Sequence, residues 1–403
     1  MTIIWANKSA WKKPGPIVAM GVMNAWACAE AGFETHFFVG AGEDADTDTA
    51  RDLEEFYGVS PHEKLNVHRV RSGGKWSEFF GRTLYREALA LAGRLVQDGR
   101  PVLFVTRELG LVPLLGRLRR RSGGKVVALH ETHDFHARLD HLESIDWTRR
   151  RKSWTERKFL PGIDGLICIT DEQAALYRRS FPELPVLTLP LGTTEFRRVP
   201  VEERRVRRTV GYVGHLHASK GVHGILKMVP HFAEAGLKLA LYGGYPDQID
   251  TLRQRLREID ARADELVTLH PFMPPSELHR ALAADLSLML IPLKDNHYNR
   301  FLTCPVKALD ALSHGLPSVA SDLPSTRSVL GESAEYVEPG KIKATARAAV
   351  AILDDSKRYS PMAGEAERRA EKLAWKKRAT EIVNFARSIP SRHQPGIVSD
   401  GGE

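Results

Sequence analysis

The feature that most narrows the fold is a repeated alternation. Short apolar runs, each enough for one buried strand, are separated by longer stretches with helical periodicity. Residues 3–6, 35–39, 66–70, 102–106, 126–129, 166–170 and 186–189 read as strands, and helices fill most of the gaps, notably 77–97. From 191 to 206 proline, glycine and charge replace the pattern, as in a linker between domains. A second, cleaner series follows, with strands at 209–213, 237–242, 266–269, 286–292, 318–320 and 335–337 and helices at 222–235, 248–261, 276–283 and 306–313. Such a pattern implies parallel sheets covered on both faces, and open sheets of that kind bind ligands beyond the carboxyl ends of their strands. The expectation is an α/β chain of two domains, each a parallel sheet covered on both faces and the second doubly wound.

A length of 403 residues fits two to three domains, and 42% apolar with 27% charged content describes a globular chain. No run has the length of a membrane span, and the start, MTIIWANKSAWKK, lacks the layout of a signal peptide, so a cytoplasmic protein is expected. Cys28, Cys168 and Cys304 lie far apart and form no redox or metal-ligand pair, so neither a disulfide nor a metal is expected. The net charge of +8 is concentrated in three basic runs, 117–125, 149–158 and 204–208. Their ordinary reading is a solvated helix face. Among functional readings, contact with the inner leaflet of a membrane fits better than nucleic acid, because no stacking platform or DNA-binding layout accompanies them.

Candidate site residues gather at predicted strand ends. In CPVKALDALSHGLPSVASD, Pro305 opens a short helix that Gly315 and Pro317 end, so Thr303, Cys304, Pro305 and Val306 bring its first turn to the open edge of the sheet. Backbone N–H groups there suit phosphate. Lys307 and Asp310 share a face of this helix; they read either as a solvated pair or as a site in which the carboxylate reaches ribose hydroxyls. Gly214 ends one strand, and Lys220 after it is placed to meet a diphosphate as a point charge. Gly243 and Gly244 would let the backbone approach a ligand, and Gly15, flanked by prolines, reads as a tight turn after the first strand. In HETHDFH, His130, His133 and His136 are expected just past a strand end, in the crevice and outside the core, at a spacing that matches no zinc site. A neutral His133 flanked by Asp134 would hydrogen-bond a substrate hydroxyl; the competing reading is a loop histidine facing water.

The motifs VGHLHASKG, LYGGYPD and CPVKALDALSHGLPSVASD, in this order and separation, resemble the nucleotide-sugar half of glycosyltransferase family 4, retaining enzymes of the GT-B fold. More thinly, HETHDF resembles the family's histidine loop, DGLICITDEQ a strand and helix, PLGTTEF the hinge, and Ala374-Trp375 the start of a helix crossing back to the first domain. The resemblance implies two Rossmann-like, doubly wound domains facing a cleft, with an acceptor-binding domain at 1–195, a donor-binding domain at 196–375, and at 376–403 a returning helix and a disordered tail. It also implies sugar transfer from a UDP- or GDP-sugar, with retention and without a metal or other cofactor, to a glycan or lipid-linked acceptor in surface polysaccharide assembly. His133 and Lys220 take the catalytic positions, the lysine at the departing diphosphate, and Asp310 stands in for the family's ribose-binding glutamate. Two family residues are missing: His215 replaces an arginine of the diphosphate clamp, and Leu302 replaces an upstream glutamate, with Arg300 near enough to restore a positive charge. An epimerase of the same architecture and a degenerate nucleotide-sugar-binding scaffold are the alternatives; a dehydrogenase fits least, because no G-x-G-x-x-G follows a first strand.

Overall fold

The computed structural model describes residues 1–42, 47–71, 81–140, 144–194, 196, 199–216 and 221–390. The first seven strands are β1 (Thr2–Ala10), β2 (Thr35–Gly40), β3 (Leu65–Val70), β4 (Val102–Thr106), β5 (Val126–Thr132), β6 (Gly165–Cys168) and β7 (Val186–Thr188). Six more follow: β8 (Thr209–Val213), β9 (Lys238–Gly244), β10 (Val267–Pro271), β11 (Leu288–Ile291), β12 (Ser318–Ser321) and β13 (Ala334–Val337). They form two sheets, ordered β3-β2-β1-β4-β5-β6-β7 and β10-β9-β8-β11-β12-β13, with parallel pairing throughout. The expected architecture of two Rossmann-like α/β domains is present. Parallel pairing requires long crossovers, and helices on both faces bury the central strands completely: every residue of β4 (VLFVT) and β11 (LMLI) is buried. The strand order reverses at β1/β4 and at β8/β11, which leaves a crevice beyond the carboxyl ends of each pair.

Local chemistry moves several predicted boundaries. The helix expected at 222–235 is two, Val222–Leu226 and Val229–Glu234, separated just before Pro230, whose missing N–H suits the start of a helix and not its middle. Of the helix expected at 77–97, Arg82–Gln97 is described and 77–80 lie outside the described residues. The stretch 191–206 is only partly a linker, since Val201–Val206 is helical. Nor is the run 204–208 wholly a solvated face. Arg204 is 2% exposed, with Nη2 donating to Glu367 Oε1 at 3.0 Å and Nη1 to the carbonyl of His314. The three cysteines are buried and free.

The two domains are joined by a pair of crossings that lie against each other. Thr193 bridges Ala374, its N–H donates to Leu373 O at 3.0 Å, and Trp375 N–H donates to Thr193 O at 3.3 Å. Gly192 is needed there, because a Cβ would sit 2.3 Å from Cδ2 of the Trp375 indole. After this double crossing, the helix Trp375–Ser388 packs on the first helix, Pro16–Glu30. One apolar cluster thereby runs from Val22 and Leu129 through Trp375 to Leu309 and Leu312. The expected tail, 391–403, lies outside the described residues. Among those described, no helix is long and apolar enough to cross a membrane.

Candidate active site

On the first domain the site is built on β5. The strand continues through Thr132, so His130 lies in the core and not in the crevice: it is 3% exposed, and Nδ1–H donates to Thr106 O at 2.9 Å. His133 is just past the strand end, and its carboxylate partner is not Asp134 but Glu131, with Nε2–H donating to Oε1 at 2.7 Å. Asp134 instead lies 3.4 Å from His136 Nε2. The period of two along an extended chain puts Glu131 and His133 on one face, a signal the sequence contained. Glu131 is wholly buried between two guanidiniums: Arg378 of the last helix donates to Oε2, and Arg107 Nε lies 3.7 Å from Oε1. Burial alone would raise the Glu131 carboxyl, but Arg378, His133 and Arg107 together hold it well below the ordinary range. Burial lowers His133 to about 4, helped by Arg107 and resisted by Glu131, so the ring is neutral at pH 7 with Nδ1 left as a hydrogen-bond acceptor.

Arg378, missed in the sequence because it lies in a helix otherwise read as packing, also donates to Asn24 Oδ1 at 3.1 Å and to the carbonyls of Leu189 and Pro190, each at 2.9 Å. The histidine loop has a second anchor in Glu156, which accepts from His136 N–H at 2.9 Å and from Tyr177 Oη at 2.8 Å. Gly15 caps the first helix at φ +98°, with open space where a Cβ would stand.

On the second domain, the helix Val306–Ser313 follows β11 and Pro305 caps its start. Lys307 Nζ lies 4.4 Å from the centre of the Tyr212 ring and 3.6 Å from where a Cβ of Gly214 would stand. An ammonium group is thus placed where β8 meets β11, at the strand-order reversal. Gly214 and Gly243 serve each other: both have positive φ, and a Cβ on Gly243 would stand 2.5 Å from Gly214 O. Gly244 is crowded by Ile249 and Leu216, so these two glycines provide close packing of loops and not open space for a ligand. His215 is exposed, with its ring 4.9 Å from Phe272, which is in turn 4.9 Å from Tyr245. This aromatic edge over the ends of β8, β9 and β10 gave no pattern in the sequence. Lys220 lies outside the described residues.

The other expected donor residues fall less simply. Cys304 has its thiol in the core, 4% exposed, so only its backbone can serve a ligand. Arg300 is committed to Asp295, with Nη2 donating to Oδ2 at 2.6 Å, so its charge is already partly met. Leu302, at the position of the missing glutamate, is 1% exposed and packs with Phe301 into the core of the first domain. Tyr298, in the same loop as Thr303, is raised by burial and by the charge of Asp134, against a hydrogen bond from Thr303 and the charge of Arg107, so this loop adjoins the histidine loop. Asp310 is buried beside a cavity of about 50 Å³ between the domains, lined by Met20, Met23, Leu309, Trp375 and His279 among others. Asp310 thus faces a small space that it shares with Trp375 and the first helix, and it is 9% exposed. Burial lifts the Asp310 carboxyl to about 7, opposed by Lys307, and His279 Nε2, 4.0 Å away, is neutral because burial lowers it to about 4. His279 Nδ1 is 3.0 Å from His314 Nε2, and Phe196 of the hinge stacks on His314 at 4.6 Å. Among the described residues no cluster of His, Cys, Asp and Glu has the makings of a metal site.

Two family models match the sequence, "Glycosyl transferase 4-like domain" over residues 19–192 and "Glycosyl transferases group 1" over 207–355. No curated protein matches it significantly. Among solved structures, the fold is similar to a sucrose-phosphate synthase from Thermosynechococcus elongatus, with TM-score 0.67, 18% identity, and 96% of this chain and 98% of that one covered. Anabaena HepE in complex with UDP and glucose gives TM-score 0.66 at 14% identity, covering 96% and 100%. The lipopolysaccharide outer core galactosyltransferase WaaB gives 0.59 at 14%, covering 95% and 99%. With the two family models matching one domain each and the fold shared over nearly its whole length, the chain belongs to the glycosyltransferases of the GT-B type, family 4-like in its first half and group 1 in its second.

Proposed function

We propose that the protein moves a sugar, with retention and without a metal, from a UDP- or GDP-sugar to a lipid-carrier or glycan acceptor in surface polysaccharide assembly. The observation that carries this reading is the Lys307 ammonium beside Gly214 at the β8/β11 reversal, next to the first turn of the helix Val306–Ser313. Charge that develops on a departing diphosphate would meet a fixed cation and backbone N–H groups there, and Lys220 would join them from its loop. His133, held neutral with Nδ1 accepting, would take a hydrogen bond from a hydroxyl of the donor sugar. Val306, Thr303 and the backbone at Cys304 and Pro305 border the same turn, and Asp310 would reach the ribose once the domains part. UDP is favoured because the HepE structures hold UDP and UDP-glucose. Retention, the acceptor class and the division into donor domain 196–375 and acceptor domain 1–195 rest on the family resemblance.

A thermal-shift panel of UDP-, GDP- and ADP-sugars tests the reading. A ligand at a hundred times its dissociation constant adds about 2.7 kcal/mol of stability, and Lys307→Ala should abolish the shift. A panel in which no nucleotide sugar moves the melting temperature would sink the proposal. Leu302 in the core and His215 in place of a permanent cation favour one second reading, a nucleotide-sugar binder that does not turn over. Calorimetric binding with no transfer or hydrolysis would identify it.

A further inference from the structure

Two of the basic runs, 117–125 and 149–158, come together on one face of the first domain, because the helix Val112–Arg121 packs against the helix Trp147–Phe159. The second of these helices has six Lys or Arg side chains and a single acid, Glu156. That acid points inward, 1% exposed, and is used in holding the histidine loop. The outward stripe is Trp147, Arg150, Arg151, Trp154, Arg157 and Lys158, residues spaced to share one face of a helix and all exposed. Trp147 is 78% exposed and Trp154 is 54% exposed, whereas Trp5, Trp11 and Trp375 are between 1% and 3% exposed. Lys158 Nζ sits 4.9 Å from the Trp154 ring centre, and Ile145, two residues before the helix, is also exposed. A merely solvated helix face has no use for two indoles. Indoles interleaved with long cations match the boundary of a bilayer, where aromatic rings enter the headgroup layer while Lys and Arg stems lie along them and bring charge to the phosphates.

We propose that this face docks on an anionic lipid surface, with Trp147 and Trp154 entering the headgroup layer and Arg150, Arg151, Arg157 and Lys158 meeting lipid phosphates. The inference rests on the lipid-linked acceptor reading for its purpose and names the surface that would serve it. The inner side of the same helix grips the loop of His133, so an acceptor travelling in the membrane plane would arrive next to the histidine. Docking itself is measured without any turnover.

Co-sedimentation of the full chain with phosphatidylcholine vesicles, with and without phosphatidylglycerol, tests it. The protein should pellet with the anionic vesicles only, and less so as salt is raised. Trp147→Ala with Trp154→Ala should weaken the partitioning at least about tenfold. Arg150→Ala and Arg151→Ala should each weaken it about fivefold. All four side chains are exposed, so an unchanged melting temperature verifies the fold of each variant, and the nucleotide-sugar thermal shift should also be unchanged. Equal pelleting with neutral and anionic vesicles, or tryptophan variants that pellet like the parent, would overturn the proposal. So would displacement from vesicles by a short RNA or by inorganic phosphate with no dependence on the tryptophans, which would make the face a polyanion site. A failed nucleotide-sugar shift with intact vesicle binding would remove the donor reading and leave the docking surface standing.

Discussion

Arg378 governs a histidine that lies almost 250 residues before it in the chain, because both bind the same carboxylate, Glu131. With Arg378 on one oxygen and His133 on the other, Glu131 stays ionised, and an ionised Glu131 fixes His133 with its proton on Nε2. Glu131→Gln removes the charge but keeps the shape, leaving Arg378 buried without its counter-ion. Breaking a buried pair in this way costs about 3–5 kcal/mol, which a urea midpoint would register. In the surviving folded fraction, transfer should slow while donor affinity stays near that of the parent. A Glu131→Gln protein as stable and as active as the parent would show that the pair does nothing of the kind. The sequence read His133 as a candidate site residue but gave it the adjacent Asp134 as partner, since nearness along the chain is all that a loop reveals. Arg378 could not be read at all, because its role depends on where the last helix lands.

At the level of the element, the strands were legible because a strand buried on both faces must be apolar along its length, and β4 and β11 are. The turn Tyr298–Leu302 was not. It leaves the second domain and buries Phe301 and Leu302 against the first, a contact that no local pattern encodes. The helix Val306–Ser313 was found from its punctuation, yet its buried face toward the cavity was not, since whether Asp310 meets water depends on how closely the domains approach. Gly192 presents the sharpest test at this scale. Its missing side chain admits the Trp375 indole, so Gly192→Ala forces the double crossing apart and should cost about 1–3 kcal/mol. A lowered melting temperature, with protease cuts appearing between the domains, is the expected result; an unchanged melt would mean that the indole shifts freely.

The whole molecule is sensitive to acid. His68, His130, His133 and His279 are each lowered to about 4 and His314 to about 3, all chiefly by burial. Below the ordinary histidine range the unfolded chain takes up protons that the fold refuses, so their contribution to stability is lost as the pH falls from about 6.5 toward 4. Asp310, raised to about 7, and Glu156, raised to about 8, act the other way: the fold keeps their protons, and their contribution is lost as pH rises. Five histidines against two carboxyls leave a net fall on acidification, on the order of a few kcal/mol by pH 5. Melting curves from pH 7 to pH 5 check this, and a melting temperature that holds level or climbs would contradict it. The paired crossings at Thr193 and Ala374 set a further consequence for the molecule. Two stretches of chain hydrogen-bonded side by side resemble the spine of a book, about which the domains would swing if they part as the proposed reading requires. On the proposed reading, a donor held between Lys307 and His133 would come in along the fore-edge, and the cavity beside Asp310, which Gly192 and Trp375 also line, would lie nearest the binding.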